Sequence, residues 1–131
     1  NFKSEAFFRV CGDSPLLLPF LFDKAANIFN KYECDLVTNI FPRTFPIGMS
    51  IELIKTQTFV EIDKKIKNKN DREHITQFFY RKEKEFKIHN IKCIKPSDQK
   101  LKLALDFPDD LKKLEEWEQN RNKNYEDLFL F

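Results

Sequence analysis

Two apolar runs in this chain, Phe7–Cys11 and Leu101–Leu105, each lead into an Asp-x-Pro step and then a helical pattern. The steps are Asp13-Ser14-Pro15 and Asp106-Phe107-Pro108. A β-type run that delivers a carboxylate, with Pro setting the next turn, is the layout of a strand-to-helix connection. Two such layouts, far apart in the chain, restrict the fold to one in which strands alternate with helices. Ligands of open α/β sheets sit outside the carboxyl ends of the strands. Asp13 and Asp106 are therefore expected at one edge, where together they could hold a divalent cation against phosphate oxygens. Magnesium suits such a site, since it takes one or two carboxylates and completes its shell with water and substrate phosphates. The competing reading is that each Asp caps a helix. If Pro15 and Pro108 open their helices, Ser14 and Phe107 take the cap positions and both aspartates are left pointing elsewhere.

Between these layouts the periodicity alternates as the fold class requires. Pro19 suits the first turn of a helix to about Tyr32, with Phe22, Ala25, Ala26 and Phe29 on one stripe. Asp35 to Ile40 reads as a strand, Phe41 to Gly48 as a Pro-containing loop, and Met49 to Ile54 as a second β-type run. Lys55 to Ile66 is helical in pattern. Asp71 is a candidate N-cap for a helix to about Arg81, and Phe86 to Ile94 alternates as a strand does. After the loop Lys95 to Gln99 and the run to Asp106, a helix carries Leu111, Leu114 and Trp117 on one side. Tyr125 to Phe131 forms an apolar tail expected to pack on the body. The expectation is one α/β domain over residues 1–131, with a mainly parallel sheet and flanking helices.

With 131 residues the chain is long enough for a real core, and fifteen Phe supply much of it. Basic and acidic residues number 23 and 21, a balance that provides no general attraction to nucleic acid or anionic lipid. Cys11, Cys34 and Cys93 are odd in number and lack CxxC spacing, which points to reduced thiols and a cytoplasmic protein. The longest apolar run, Pro15 to Phe22, falls far short of the roughly 20 residues that a membrane-spanning helix needs. The chain opens at Asn1 without an initiator Met, which points to sequence upstream.

Further candidates for chemistry lie between the aspartates. Asp71-Arg72-Glu73-His74 opens a helical pattern and is dense in groups able to bind hydroxyls or carboxylates; a solvated, acidic first turn is the alternative. His74 is either a satisfied core histidine or a group lining a pocket, and His89, mid-strand, reads as structural. Arg43-Thr44-Phe45-Pro46-Ile47-Gly48 joins two strands. Gly48, one of only two glycines, implies a backbone constraint or a close approach to a ligand, or else an ordinary turn. No GxxxxGK[ST], GxGxxG, GxSxG, HExxH or zinc-type spacing is present.

Taken in order, these segments resemble one family. Arg9-Val10-Cys11-Gly12-Asp13-Ser14-Pro15-Leu16-Leu17, Asn39 with Arg43-Thr44-Phe45-Pro46, Gly48-Met49-Ser50-Ile51-Glu52, Asp71-Arg72-Glu73-His74-Ile75-Thr76 and Leu105-Asp106-Phe107-Pro108-Asp109-Asp110-Leu111 are similar to cytidylyltransferases of the spore-coat polysaccharide biosynthesis type. These are relatives of the acylneuraminate and 3-deoxy-manno-octulosonate enzymes. The resemblance runs from about Phe7 to Trp117 and covers the C-terminal portion of such an enzyme; the Arg- and Gly-rich loop that holds the CTP phosphates would precede Asn1.

The resemblance implies a partial Rossmann-like nucleotide-diphospho-sugar transferase fold. It implies transfer of CMP from CTP to an acidic or related sugar, with release of pyrophosphate, in surface polysaccharide biosynthesis. By the same resemblance Asp13 and Asp106 are the catalytic, magnesium-associated residues. Arg43, Gly48, Arg72, Glu73 and His74 fall on the sugar side of the pocket. The implied partners are CTP, the sugar, and either the missing N-terminal half or a second copy of the chain. One departure stands out, because Ser50 occupies the place of the family's Asp in its Gly-Leu-Asp-Val-Glu segment. Two alternatives remain at this level: a non-catalytic binding or assembly module, and a sugar nucleotidyltransferase using another base.

Overall fold

The computed structural model describes residues 4–67, 71–72, 74–93 and 101–120. Four strands form one sheet: β1 (Ala6–Arg9), β2 (Leu36–Thr38), β3 (Glu52–Lys55) and β4 (Ile88–Asn90), in the order β1-β3-β2-β4. Among the described residues, the helices α1 (Pro19–Lys31), α2 (Thr56–Lys65), α3 (Ile75–Arg81) and α4 (Pro108–Asn120) flank it. Among the described residues no helix is long and apolar enough to cross a membrane. The apolar tail and the Lys95 to Gln99 loop expected from the sequence lie outside the described residues.

The sheet is mixed, which corrects the expectation of a mainly parallel one. β3 is antiparallel to both β1 and β2, and β2 is parallel to β4. Parallel neighbours need a long crossover, usually a helix, and the link from β2 to β3 contains none, so β3 returns antiparallel. It follows that β1, β2 and β4 all run one way, with β3 reversed between β1 and β2. Their carboxyl ends share an edge with the amino end of β3.

The pleat sorts side chains onto two cores. One face carries Val37 and Leu53 and packs against Leu18, Leu21 and Ala25 from the α1 region and Leu114 of α4. The other carries Leu36 and Ile54 against Ile62 of α2 and Ile75 and Phe79 of α3. Each such fully buried side chain is worth roughly 1.5–3 kcal/mol relative to exposure. Pro19 opens α1 at its first turn, where its missing N–H costs nothing. Leu114 is buried as the stripe on α4 predicts, whereas Leu111 remains half exposed.

Two strand-to-helix layouts turn out differently from their sequence pattern. β1 ends at Arg9, residues 12–13 form a turn, and Pro15 lies in a second turn, so the helix begins at Pro19 rather than Pro15. The run Leu101–Asp106 is not a strand of the sheet; it makes a single parallel bridge, Ile47 with Lys102. Its apolar pattern comes from burial of Leu103 and Ala104, which constrains side chains without requiring a ladder. The third helix also starts late: Ile75 opens it with His74 at the cap, and Asp71 pairs with Arg81 instead.

Candidate functional site

The register places four polar residues in one row across the sheet. Arg9 of β1 faces Glu52 of β3, which faces Thr38 of β2, which faces Asn90 of β4. The row marks the edge where β1, β2 and β4 end, and it lies on the face covered by α3. Its centre is Glu52, buried to 2% exposure. Arg9 Nη1 donates to Glu52 Oε2 at 2.7 Å and Tyr80 Oη donates to Oε1 at 2.5 Å. Because the phenolic proton is committed to Glu52, the 3.0 Å contact between Thr38 Oγ1 and Tyr80 Oη runs from Thr38 to Tyr80. Thr38 Oγ1 in turn accepts the Ile40 N–H at 3.3 Å. Each polar atom of this chain is thus satisfied by the next, as buried polar groups must be.

The electrostatics follow from that arrangement. Burial pushes the Tyr80 hydroxyl up, and the charge of Glu52 and the bond to it push further in the same direction, so Tyr80 stays a neutral donor. Burial pulls Arg9 down, but the bond to Glu52 and its charge together outweigh that, leaving Arg9 a firmer cation than usual. Phe41 stacks on Tyr80 with ring centroids 4.8 Å apart. Asn90, at the end of the row, accepts the Phe41 N–H and donates to the Pro42 carbonyl, both at 3.0 Å. Asn39 is fully buried and ties down the other side of the loop, donating to the Met49 carbonyl at 2.6 Å and accepting the Ile51 N–H at 3.0 Å.

Above the row is a cavity of about 170 Å³ lined by Arg9, Cys11, Ile40, Arg43, Ser50, Glu52, His74, Thr76, Gln77 and Tyr80. Pockets that hold a whole small molecule start at roughly 300 Å³, so this one takes one end of a ligand. Two of the residues singled out in the sequence, Arg43 and His74, come together here. Arg43 donates to Ser50 Oγ at 3.0 Å and to the Pro46 carbonyl at 3.4 Å. Partial burial lowers its pKa, with Tyr80 and Glu52 opposing. His74 is exposed at the start of α3 and lines the cavity instead of packing in the core.

The other residues singled out are elsewhere. Arg72 is exposed, 4.0 Å from Asp63, and does not line the cavity. Glu73 lies outside the described residues. Gly48 has φ +95°, and a Cβ there would lie 2.3 Å from both the carbonyl carbon and oxygen of Leu103. The backbone constraint expected at Gly48 is therefore real, and what approaches it is the chain itself: Leu103 N–H donates to the Ile47 carbonyl at 2.7 Å. His89 stacks on Tyr32 at 5.3 Å, in keeping with a structural role. The three cysteines are free thiols, with Cys34 and Cys93 buried.

The segments that carry Asp13 and Asp106 cross as loops rather than ending two neighbouring strands. The Leu105 N–H donates to the Asp13 carbonyl at 2.8 Å, which brings the peptide just before Asp106 against Asp13. Asp13 Oδ1 accepts from the Ser14 hydroxyl at 2.9 Å. Lys102 Nζ lies 2.7 Å from Asp106 Oδ2 and 3.0 Å from Asp110 Oδ2. Asp110 also accepts the N–H groups of Asp106 and Phe107, both at 3.0 Å, and so acts as the reciprocal cap of α4. The Lys102 bond, followed by those from Phe107 and Asp106, holds the Asp110 carboxyl below its usual range. Among the described residues no group of three or more His, Cys, Asp or Glu could hold a metal ion. Both side chains are carboxylates, the hard-oxygen ligand type that magnesium accepts. The crossing adjoins the cavity through the turn from Cys11 to Ser14.

Sequence reasoning did not single out Arg9, Glu52 and Tyr80 as site residues. A signal was present, since Arg9 in Phe7-Phe8-Arg9-Val10 and Glu52 in Ile51-Glu52-Leu53-Ile54 are opposite charges inside apolar β-type runs. Buried charges of this kind need partners.

No protein-family model and no curated protein matches the chain. It is similar to the solved structure of a cytidylyltransferase from Leptospira borgpetersenii serovar Hardjo-bovis (strain JB197), with a TM-score of 0.84 and 26% identity. The match covers 95% of this chain and 54% of that one, so the chain spans about half the length of that cytidylyltransferase. The resemblance drawn from the sequence motifs thus has a counterpart in three dimensions.

Proposed function

We propose that this chain forms the sugar-side and metal-side portion of a nucleotidyltransferase that moves CMP from CTP to an acidic sugar and releases pyrophosphate. The observation that carries the reading is the position of the Arg9–Glu52–Thr38–Asn90 row and its cavity. They lie outside the carboxyl ends of three co-directional strands, where α/β folds bind ligands, and next to the Asp13–Asp106 crossing. The similarity to a cytidylyltransferase supports the same reaction class.

In this reading the cavity orients the sugar through Arg43 and His74, while Arg9, Glu52 and Tyr80 hold its floor rigid. A sugar hydroxyl forms a bond to the α-phosphorus of CTP, the bond to the β-phosphate bridging oxygen breaks, pyrophosphate leaves, and the hydroxyl proton passes to solvent. Asp13 and Asp106 would hold magnesium, which when bound neutralises phosphate charge. Holding the two reactants in line is the chain's own contribution. Gly48 supports the site indirectly by letting Leu101–Ala104 pass across the loop that carries Arg43 and Ser50. The sequence contains no phosphate-cradling glycine loop, so CTP contacts would come largely from outside these residues.

The test measures pyrophosphate release and the thermal midpoint together, in the protein carrying this chain, with CTP, magnesium and 3-deoxy-manno-octulosonate or an acylneuraminate as acceptor. Asp13→Asn and Asp106→Asn should each lower turnover by about 100-fold or more, the scale of a lost electrostatic contact in the transition state, with little change in midpoint. Full turnover in either variant removes that residue from the mechanism, and no turnover with any acidic sugar removes the reading.

A further inference from the structure

β4 and the residues after it reach across to the loop that carries Arg43 and fasten it on both sides. Asn90, the last residue of β4, accepts the Phe41 N–H through Oδ1 at 3.0 Å and donates through Nδ2 to the Pro42 carbonyl at 3.0 Å. Further along, the Cys93 N–H donates to Thr44 Oγ1 at 2.8 Å. Arg43 lies between these two fastenings, and an antiparallel bridge folds it back against Ile40, another residue of the cavity wall. Its guanidinium then reaches Ser50 Oγ at 3.0 Å and the Pro46 carbonyl at 3.4 Å. Residues 41–51 contain no strand or helix, so no ladder sets the backbone direction at Arg43.

We infer that Asn90 and Thr44 are positioning residues that aim Arg43 into the cavity. This rests on the proposed reading, in which Arg43 contacts the sugar, and deepens it by naming what fixes that contact. Neither side chain lines the cavity, so both act through the backbone on either side of Arg43. Asn is a poor strand former, yet Asn90 stands in register with Thr38 at the end of the polar row. Its short amide donates and accepts at once, which the Phe41 N–H and the Pro42 carbonyl together require; a carboxylate only accepts, and an aliphatic chain does neither. Tyr80 adds a stack on Phe41, so the loop is tied to the row at two points. A guanidinium placed in advance binds more tightly, because the ligand does not have to order the loop.

The experiment measures the KM for the acceptor sugar and the KM for CTP in the protein carrying this chain, with magnesium and 3-deoxy-manno-octulosonate or an acylneuraminate as acceptor. Asn90→Leu should raise the sugar KM by about 10-fold, the worth of one neutral hydrogen bond, and leave the CTP KM within about twofold. Thr44→Val, which removes the acceptor at similar volume, should do the same, and Thr44→Ser, which restores the hydroxyl, should bring the sugar KM back. Repeating Asn90→Leu in an Arg43→Gln background should give no further rise, since nothing remains to be aimed. An equal rise in that background, or a CTP KM that climbs with the sugar KM, shows that the two residues merely support the fold; the aiming role is then overturned while the sugar-side reading stands. An unchanged sugar KM in both Asn90→Leu and Thr44→Val overturns it as well. If Asn90→Leu fails to fold, as judged by circular dichroism, Thr44→Val carries the same comparison. A normal sugar KM in Arg43→Gln removes Arg43 from the site and the aiming role with it. Absence of turnover by the unmodified protein with any acidic sugar overturns the proposed function itself.

Discussion

The polar row at the sheet edge and the loop crossing around Asp13 and Asp106 both bring charges together from distant parts of the sequence, but different parts of the chain hold them in place. In the row, backbone ladders set the register and the side chains finish the structure: Glu52 satisfies Arg9 and Tyr80 at once, and removing it strands both. In the crossing the backbone carries the structure, through Leu105 to Asp13, Leu103 to Ile47 and the seat of Leu103 on Gly48. The Asp106 carboxylate there pairs with Lys102 at the partly exposed surface. Burial explains the contrast, because Glu52 has 3% of its side chain exposed and Asp106 has 46%.

If this contrast holds, the largest loss at the crossing comes from a backbone site. Gly48→Ala forces a Cβ against the Leu103 carbonyl at a φ that L-residues rarely adopt. Strain and overpacking together should cost about 4 kcal/mol, read from urea denaturation. A cost below that of Tyr80→Phe would mean that the crossing yields easily and the comparison fails.

In the row, Glu52→Ala should cost about 3 kcal/mol. That is the low end for breaking a buried pair, because Arg9 keeps 34% of its side chain in water. Adding Arg9→Met should recover part of the loss, and a double-mutant cycle measures the coupling directly. An Asp106→Asn variant as destabilised as Glu52→Ala would erase the distinction between the two regions.

Tyr80→Phe removes one donor from Glu52 and one acceptor from Thr38 while preserving the stack on Phe41. The expected cost is about 1.5 kcal/mol, seen in the same denaturation series.

The smallest effect sharpens the picture of the crossing. Asp110 has a folded pKa below its ordinary 3.8, caused first by Lys102 and then by the N–H groups of Phe107 and Asp106. Its contribution is therefore complete above about pH 3.8 and is lost as pH falls through the lowered folded value. Asp110→Asn should lower the thermal midpoint slightly at neutral pH and flatten the stability profile in that acid window. An unchanged acid limb would show that the cap carries no linked proton.

Much of the architecture was legible locally. The stripes of α1 and α4 follow from spacing, while a pocket-lining His74 and a backbone constraint at Gly48 are each one of two readings that the sequence leaves open. The sequence by itself determined where α1, α2 and α4 lie and offered a backbone constraint as one reading of Gly48. Those properties depend on neighbours along the chain. The direction of β3, the demotion of Leu101–Asp106 from strand to crossing segment, and the union of Arg9, Glu52 and Tyr80 depend on pairings between segments that local patterns do not encode. Arg9 and Glu52 are separated by 43 residues and Glu52 and Tyr80 by 28. Apolar periodicity says which face of a strand is buried, but not which strand lies beside it. The tertiary structure alone decided that two isolated charges in apolar runs would meet and neutralise each other beneath the cavity.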